Sequence, residues 1–376
     1  MTGLTKRIVS KNGAQTLMLV LAASGMLAAC KHSTTTNPQG LWIANGTDVL
    51  EYIPSQLAGG MSAAVPHLQL KSAALGAPQG VTFDKAGNLW VMDPEGNVNG
   101  AQSAALFKFT PTQLAALATT PAPDPAEIIT YTGGAAPQQS VFDAKGNQWV
   151  ADHDANMIVV FTAAQMGASG TNPTVPAVVL TSAAFNGPLG IAFDSMGNLW
   201  VANNGGVMGD NNVVSPTGTL IMEFTAAHLP TVPATGMVTP TLNPDLTLAD
   251  NGNGSIQAPW ALAFDAAGNL WSSNAAAPNT LVEFAKASLA ITSAPSPAVT
   301  ISPAMVNGVP SLDGPNGLCF NNAGNLAAGN SANAFGIPYY LKAQLMTGAP
   351  IPNTFIVGAA TTLDAVAGCN FGPLVN

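Results

Sequence analysis

Charged residues are scarce in this chain, and their scarcity excludes several classes of protein. Of the 376 residues, 8% are charged and 47% are hydrophobic, the reverse of the balance that keeps a chain disordered. Arginine occurs once, at Arg7, and from Cys30 onward seven lysines face 19 acidic residues, a formal charge of −12. Without arginine forks or a basic stripe, the sequence predicts no nucleic-acid partner and disfavours phosphate-rich ligands.

Long helices are disfavoured as well, because glycine and proline are abundant. The 38 Gly and 29 Pro fit poorly inside helices, and they favour many short strands joined by tight turns. The composition therefore predicts an all-β protein.

The N-terminal segment has the residue order of a secretion signal. Basic residues up to Lys11 precede an apolar run that ends in Leu27-Ala28-Ala29-Cys30 and is too short to cross a membrane as a helix. This ending resembles the bacterial lipoprotein signal, in which the cysteine carries the lipid. We expect a signal peptide over 1–29, a polar tether over 30–40 with Cys30 acylated, and a location in the bacterial cell envelope. The protein would be held there on a membrane, the outer one if present. An ordinary cleaved signal is the alternative.

One sequence unit, spanning 76 to 93 in its first copy, recurs along the chain. Each copy has a short apolar run that ends in phenylalanine, then a turn of the type D-x-x-G-N, and then a second apolar run. The phenylalanine lies at Phe83, Phe142, Phe193, Phe264 and Phe320. Intervals of 51 to 71 residues suit a four-stranded propeller blade with variable loops.

A second marker recurs in phase with the first and raises the count to six. It consists of an aromatic residue, three further residues, a mostly polar residue and Leu or Met, and it begins at Tyr52, Phe109, Phe161, Phe224, Phe284 and Tyr340. We interpret it as the end of a third strand followed by one helical turn, which Thr110 caps and Pro111 opens in the second copy.

The two ends of the chain complement each other. The tail from 365 to 371 matches the start of the unit, and the segment from 41 to 45 matches its middle. We therefore predict a six-bladed β-propeller over 41–376, closed by the C-terminal strand pairing into the N-terminal blade.

The D-x-x-G-N piece predicts a hairpin turn between the first two strands of a blade. Aspartate accepts backbone N–H bonds there, and glycine adopts the left-handed conformation. A calcium loop would need more oxygen ligands than the single acid that each copy supplies.

The unit G-P-x-G-I-A-F-D-x-x-G-N-L-W-V-A-N resembles that of NHL-repeat and gluconolactonase-like (SMP-30-type) six-bladed propellers. The resemblance covers nearly all of the chain from about residue 41. It implies the fold, but the architecture hosts lactonases, lyases and binding modules, so function must be argued from the site.

For a lactonase, the resemblance implies a divalent cation (Ca, Mg or Zn) held by an Asn in P-N-G, an Asp in the P-D-G of a following blade and a Glu near the chain start. Pro315-Asn316-Gly317 matches the first motif, but Ala367 stands where the aspartate is expected. Asn316 is thus an isolated candidate ligand, and no complete metal site and no cofactor are predicted.

In such propellers the starts of the inner strands and the ends of the second strands meet at one end of the central channel. Candidate ligand-binding residues there are Gln79, Asp93, Gln138, Asp152, Asn203, Trp260, Asn274, Asn316 and Asn330. The set is polar with few acids, which suits a small neutral ligand such as a sugar. The loops 203–219 and 243–257 are expected beside it, either as pocket walls or as loose connections.

His153 is the histidine expected beside this ring. Carboxylates on both sides would raise its pKa and orient its ring, which makes it a candidate catalytic residue; a plain turn residue is the alternative. The sequence contains no G-x-S-x-G, H-E-x-x-H or C-x-x-C motif, so no catalytic residue is assigned.

Cys319 and Cys369 fall on neighbouring inner strands with opposite parity. They are expected either to form a disulfide bond or to be two small buried residues.

Three functions follow from these observations. The first is a lipid-anchored propeller that binds a small polar molecule or an envelope protein at its channel face. The second is a metal-assisted lactonase or lyase that uses Asn316, Asp152 and His153. The third is a structural role in envelope assembly.

Overall fold

Six antiparallel sheets of four strands surround a central channel. The computed structural model describes residues 39–205, 219–332, 335–358 and 363–375. The expected signal peptide, Cys30, the tether as far as residue 38 and most of the loop 203–219 lie outside the described residues. The inner strands of the six sheets contact one another in a ring, so the sheets are the blades of a six-bladed β-propeller, as the repeat predicts.

The blades are numbered along the chain, and their strands are given from the channel outward. Blade 1 contains Val366–Pro373, Gln39–Asn45, Asp48–Tyr52 and Leu68–Leu70. Blade 2 contains Gly80–Phe83, Leu89–Val98, Ala101–Phe109 and Glu127–Thr130. Blade 3 contains Pro137–Phe142, Gln148–Asp152, Met157–Phe161 and Val178–Thr181.

The other three blades follow the same pattern. Blade 4 contains Pro188–Phe193, Leu199–Asn204, Thr219–Phe224 and Leu246–Ala249, so part of the expected loop 243–257 is its outer strand. Blade 5 contains Pro259–Phe264, Leu270–Asn274, Thr280–Phe284 and Val299–Ile301. Blade 6 contains Pro315–Phe320, Leu326–Asn330, Gly336–Tyr340 and Thr354–Val357.

Short helices follow the third strands of blades 1, 2, 3, 5 and 6, as the second marker predicts, whereas in blade 4 the residues after Phe224 form a turn without a helix. The α-helix Pro111–Ala115 begins at a capping box in which the Thr110 hydroxyl accepts the Gln113 N–H. The 3₁₀ helices are Pro54–Leu57, Gln165–Gly167, Lys286–Leu289 and Lys342–Gln344. Among the described residues, no helix has the length and apolarity needed to cross a membrane.

The C-terminal strand closes the ring. It pairs antiparallel with the N-terminal strand, from Gln39 opposite Pro373 to Asn45 opposite Val366. Blade 1 therefore takes its inner strand from one end of the chain and its other three strands from the other end, as the two matching ends predict.

The outer edge of each blade is covered by the linker of the next blade. Gly170–Pro173 pairs parallel with the outer strand of blade 2, and Gly60–Ser62 does so with that of blade 6. Shorter contacts cover the other four blades through Val238, Ser293, Gly348 and Pro121. Covered edges leave few unpaired N–H and C=O groups that could pair with another chain.

Tryptophan and phenylalanine fill the wedges between blades. The tryptophan of one blade meets the repeated phenylalanine of the next edge to face, with ring centroids 5.6 to 6.0 Å apart, in the pairs Trp42–Phe83, Trp149–Phe193, Trp200–Phe264 and Trp271–Phe320. These contacts belong to the apolar clusters that join neighbouring blades.

Two names are used below for the ends of the channel. The turn side is the end where the hairpin turns lie, at 84–88, 143–147, 194–198, 265–269 and 321–325. The loop side is the opposite end, where the second strands finish and the inner strands start.

Candidate functional site

The polar side chains at the ends of the second strands are buried and bind the backbone of their own blade. They are Asn45, Asp93, Asp152, Asn203, Asn274 and Asn330. Each accepts an N–H from the segment that leads into the inner strand of its blade, at distances of 2.6 to 3.1 Å. Five of these side chains were expected to contact a ligand; the structure places all six as anchors of the loop-side segments, and their ligand role stays a prediction.

The Asp152 carboxylate accepts four hydrogen bonds. It accepts the N–H groups of Ala135, Ala136 and Ala155, and the Tyr131 hydroxyl donates to it at 2.6 Å. Burial and the adjacent Asp152 charge raise the pKa of Tyr131 well above its usual range. This carboxylate therefore has little free capacity to act as a base or a metal ligand.

His153 is held from both sides of its ring. Nδ1 lies 2.6 Å from Asp154 Oδ1, Nε2 lies 3.2 Å from Asn204 Oδ1, and the residue is 4% exposed. Both ring nitrogens are already paired, so proton transfer to a substrate would require the ring to leave one partner. The arrangement is that of a buried loop residue. Neither Asp154 nor Asn204, the two partners of its ring, is a nucleophile in this arrangement.

The side chains at the starts of the inner strands form the other half of the expected loop-side set. Gln79 and Trp260 are half-buried, whereas Gln138 and Asn316 are buried. Both amide atoms of Gln138 and Oδ1 of Asn316 have no hydrogen-bond partner in the structure. Across the channel, Gln139 Nε2 of blade 3 donates to the Asn316 carbonyl of blade 6 at 3.4 Å.

Close backbone contacts narrow the channel at this level. A Cβ on Gly80 would lie 2.1 Å from the Gln138 carbonyl oxygen, and one on Gly317 would lie 2.5 Å from that of Ala367. Glycine is required at both positions because neighbouring inner strands approach backbone to backbone.

The donor set around Asn316 does not fit the divalent cation that the resemblance implies. Its Oδ1 is buried and unpartnered, but Ala367 occupies the corresponding position of the next blade, and the oxygens of Asp152 are taken by backbone and tyrosine donors. Among the described residues, no group of three or more His, Cys, Asp and Glu side chains could hold a metal ion. Hard cations need several oxygen ligands, so one amide oxygen is insufficient.

A large cavity lies at the turn-side mouth, at the opposite end of the channel from the expected site. Its volume is about 910 Å³, and its walls are the second halves of the inner strands. Five of the repeated phenylalanines form a collar around it: Phe83, Phe193, Phe264, Phe320 and Phe371. Asp84, Lys85, Gln39 and Asn322 stand at the rim.

Sequence reasoning missed this cavity, although the signal for it was present. The phenylalanine that marks the copies in the sequence also lines the cavity in blades 1, 2, 4, 5 and 6. Inner strands have one free edge, so their unpaired N–H and C=O groups also face the cavity beside the phenylalanine rings. The mouth therefore combines aromatic walls with backbone hydrogen-bonding groups.

Cys319 and Cys369 are joined by a disulfide bond, with Cα atoms 5.9 Å apart. The bond links the inner strands of blades 6 and 1, on the turn-side half of the channel. It therefore crosses the boundary at which the C-terminal strand completes the ring.

The two remaining described histidines lie away from the channel. His228 is exposed, with Nδ1 2.5 Å from Asp245 Oδ1, and Thr225 donates to the same carboxylate. His67 Nε2 lies 3.2 Å from the Val375 carbonyl oxygen.

The fold defines the class of the protein, a six-bladed β-propeller, and solved structures show the same fold. A protein of unknown function from Bacteroides caccae matches with a TM-score of 0.56 and 11% identity, covering 90% of this chain and 100% of that one. A putative 6-phosphogluconolactonase from Bacteroides uniformis matches with a TM-score of 0.53 and 14% identity, covering 89% of this chain and 99% of that one. The periplasmic gluconolactonase of Pseudomonas aeruginosa matches with a TM-score of 0.53 and 14% identity, covering 90% of this chain and 99% of that one.

At these identities the likeness is one of fold. No protein-family model matches the chain, and no curated protein matches it either. The gluconolactonase-like neighbours agree with the resemblance in the repeat at the level of architecture.

Proposed function

We propose that this protein is a lipid-anchored propeller of the bacterial cell envelope that binds a small molecule in its turn-side mouth. The observation that carries the proposal is the cavity of about 910 Å³ with its collar of phenylalanines. Ligand sites in proteins are concave, largely apolar pockets of this size with a few polar groups that orient the ligand.

The walls indicate the chemistry of the ligand. Four of the five phenylalanine rings make edge-to-face contacts with tryptophans of the preceding blades, and Phe371 packs against Tyr339, so the rings offer rigid aromatic surface. The strand edges offer uncharged donors and acceptors, and the nearest charges at the rim, Asp84 and Lys85, are of opposite sign. An uncharged, partly apolar molecule satisfies both features, whereas the ligand expected at the loop side is a small neutral one such as a sugar.

The anchor rests on the sequence. The order of basic residues, apolar run and Leu27-Ala28-Ala29-Cys30 supports export and acylation of Cys30. A multiply acylated cysteine would hold the protein on a membrane essentially permanently.

Binding is tested with an uncharged fluorescent probe such as N-phenyl-1-naphthylamine. Ala263 lines the cavity, whereas Ala144 is exposed on a hairpin turn outside it. Ala263→Trp should fill the cavity and weaken probe binding at least about tenfold, a change worth roughly 1.4 kcal/mol. Ala144→Trp is the matched control and should bind the probe like the parent. Equal binding by the two variants, both shown to be folded by circular dichroism, would refute the site.

A metal-assisted lactonase or lyase remains the second candidate. The fold shared with the neighbouring gluconolactonases favours it, although Asn316 Oδ1 alone is not a sufficient ligand set for a divalent cation. Metal analysis of the purified protein separates the two: a stoichiometric divalent ion lost in Asn316→Ala would favour the enzyme.

A further inference from the structure

The chain enters the propeller at the turn-side mouth. Gln39 lines the cavity there, and its side-chain carbonyl accepts the Asn322 N–H at 2.9 Å. Nine residue steps separate Gln39 from Cys30, and a fully extended chain covers about 3.3 to 3.6 Å per step, or roughly 30 Å in total. A lipid on Cys30 therefore cannot lie farther than this from the turn-side mouth.

The loop side is too far away for such a tether. From the mouth to the rim of a blade is about 15 to 20 Å, because four strands spaced about 4.8 Å apart lie outside the channel. The blade adds about 20 Å of height, since its strands have about six residues with a rise of about 3.3 Å. The path around the molecule thus exceeds the reach of the tether.

The distribution of lysines between the turn side and the loop side favours the same orientation as the length of the tether. Four of the six described lysines are exposed on or beside the hairpin turns of the turn side: Lys85, Lys145, Lys286 and Lys342. Lys108 is buried against Glu127, and Lys71 lies at the loop-side end of blade 1 near Asp48.

Acidic residues outnumber the lysines on both sides, but by a smaller margin on the turn side, where Glu223 and Glu283 also lie close to the hairpin turns. The turn side carries Asp84, Asp143, Asp194 and Asp265, whose carboxylates accept N–H groups within their own turns, and Asp124 and Asp245 at its periphery. Among the described residues, Lys71 is the one lysine on the loop side. The described acids on that side are Asp48, Asp93, Glu95, Asp152, Asp154, Asp250, Asp313 and Asp364.

We propose that the turn side is the surface that faces the membrane, with its lysines on anionic phospholipid headgroups and the loop side directed away. The inference rests on the lipid anchor of the proposed function. Anionic headgroups attract nearby lysines and repel acidic residues within a Debye length of about 10 Å, so the less acidic turn side is favoured over the loop side. The cavity then opens toward the headgroup layer, and its ligand enters from there.

The test measures how fast individual lysines react with a water-soluble acetylating reagent. The mature acylated protein is added to preformed phosphatidylcholine vesicles containing phosphatidylglycerol, and acetylation is compared with that in detergent by mass spectrometry. Lys85, Lys145, Lys286 and Lys342 should react several-fold more slowly on vesicles, whereas Lys71 should react equally in both. The orientation would be overturned if these four lysines reacted at the same rate on vesicles as in detergent, or if Lys71 were slowed on vesicles instead.

Two further arms separate the orientation from the anchor. A flexible Gly/Ser segment inserted between Asn37 and Pro38, about as long as the tether itself, should weaken the protection because the turn side is no longer held near the surface. Flotation with the vesicles reports the anchor independently. A protein that floats with unprotected lysines refutes the orientation alone, and one that fails to float refutes both.

Discussion

At the scale of single residues, Glu51 is a carboxyl group in an unfavourable place. It is fully buried opposite Trp42 in blade 1; Oε1 accepts the Val375 N–H at 3.2 Å, and Oε2 has no partner. Burial raises its pKa to about 7, and the Val375 N–H opposes this shift only in part. Trp42 Nε1 is unpartnered too, because blade 1 has Gly372 after its phenylalanine where blades 2 to 4 have the aspartate that binds the indole.

Glu51→Gln should therefore stabilise the protein in a pH-dependent way. Below pH 4.5 the carboxyl is protonated in both the folded and the unfolded chain, so the variant and the parent should melt alike. As the pH rises from 4.5 to about 7, the unfolded chain loses the proton first and the parent loses stability. Above that range the variant should be more stable by about 3 to 4 kcal/mol, because each unit of pKa difference is worth about 1.4 kcal/mol. Melting temperatures across this range check it; an advantage independent of pH would exclude Glu51 as the titrating group.

The turn aspartates are residues whose function is structural. Asp143 accepts the N–H groups of Lys145 and Asn147, the Asn147 side-chain amide and Trp149 Nε1, at 2.8 to 3.2 Å. In blade 6, Asn321 makes the two corresponding backbone bonds. The single carboxylate thus joins the hairpin turn to the wedge between blades.

Asp143→Ala should lower the free energy of unfolding by about 2 to 4 kcal/mol, because four donors lose their acceptor. Asp143→Asn is the matched variant and should cost about half as much, since an amide oxygen still accepts the backbone bonds. Chemical denaturation measures both. Equal losses would show that the backbone bonds contribute little.

At the scale of elements, the C-terminal strand Val366–Pro373 completes a blade that the rest of the chain cannot complete. Val366 and Phe371 are buried, and the strand pairs along nearly all of Gln39–Asn45. Its residues are separated from those partners by more than 300 positions, so the pairing forms only when the intervening blades bring the ends together.

Truncation after Leu363 should therefore lower the melting temperature by roughly 10 °C or more. The lost burial of two large apolar side chains and the lost ladder bonds amount to about 5 kcal/mol. The full chain with Phe371→Ala should show a smaller drop, because its backbone pairing is retained. An unchanged melting temperature after truncation would mean that the ring does not close through this strand.

At the scale of the whole molecule, the ring is joined across its seam in three ways. The C-terminal strand pairs with the N-terminal one, Gly60–Ser62 covers the outer edge of blade 6, and the disulfide joins blades 6 and 1. Every blade shares apolar clusters with its neighbours, so no blade has a separate core. The propeller is expected to unfold as one unit.

Reduction of the Cys319–Cys369 bond should lower stability by about 2 to 4 kcal/mol while a single unfolding transition is retained. The double variant Cys319→Ser, Cys369→Ser should melt like the reduced parent and should not respond to reductant. Calorimetry with and without reductant checks both statements. Two separated transitions would show that the blades next to the seam unfold independently.

The fold was predictable because its signals are local and repeated. Each copy carries its own turn, its own tryptophan and its own phenylalanine, and the mismatched ends show which strand is missing. The two cysteines could be placed on adjacent strands by the same register. The candidate site was less accessible, because the carboxylates and amides at 93, 152, 203, 274 and 330 look free in the sequence but bind N–H groups about 17 positions earlier.

The sequence by itself determined the number of blades, the hairpin turns and the closure by the C-terminal strand, since these follow from patterns within each unit and at the two ends. Tertiary structure alone decided where the inner strands leave a cavity. Backbone contacts at Gly80 and Gly317 narrow the loop-side level, and the phenylalanine collar leaves space at the turn side. Both features depend on how closely neighbouring inner strands approach, a distance set by the packing of six blades together.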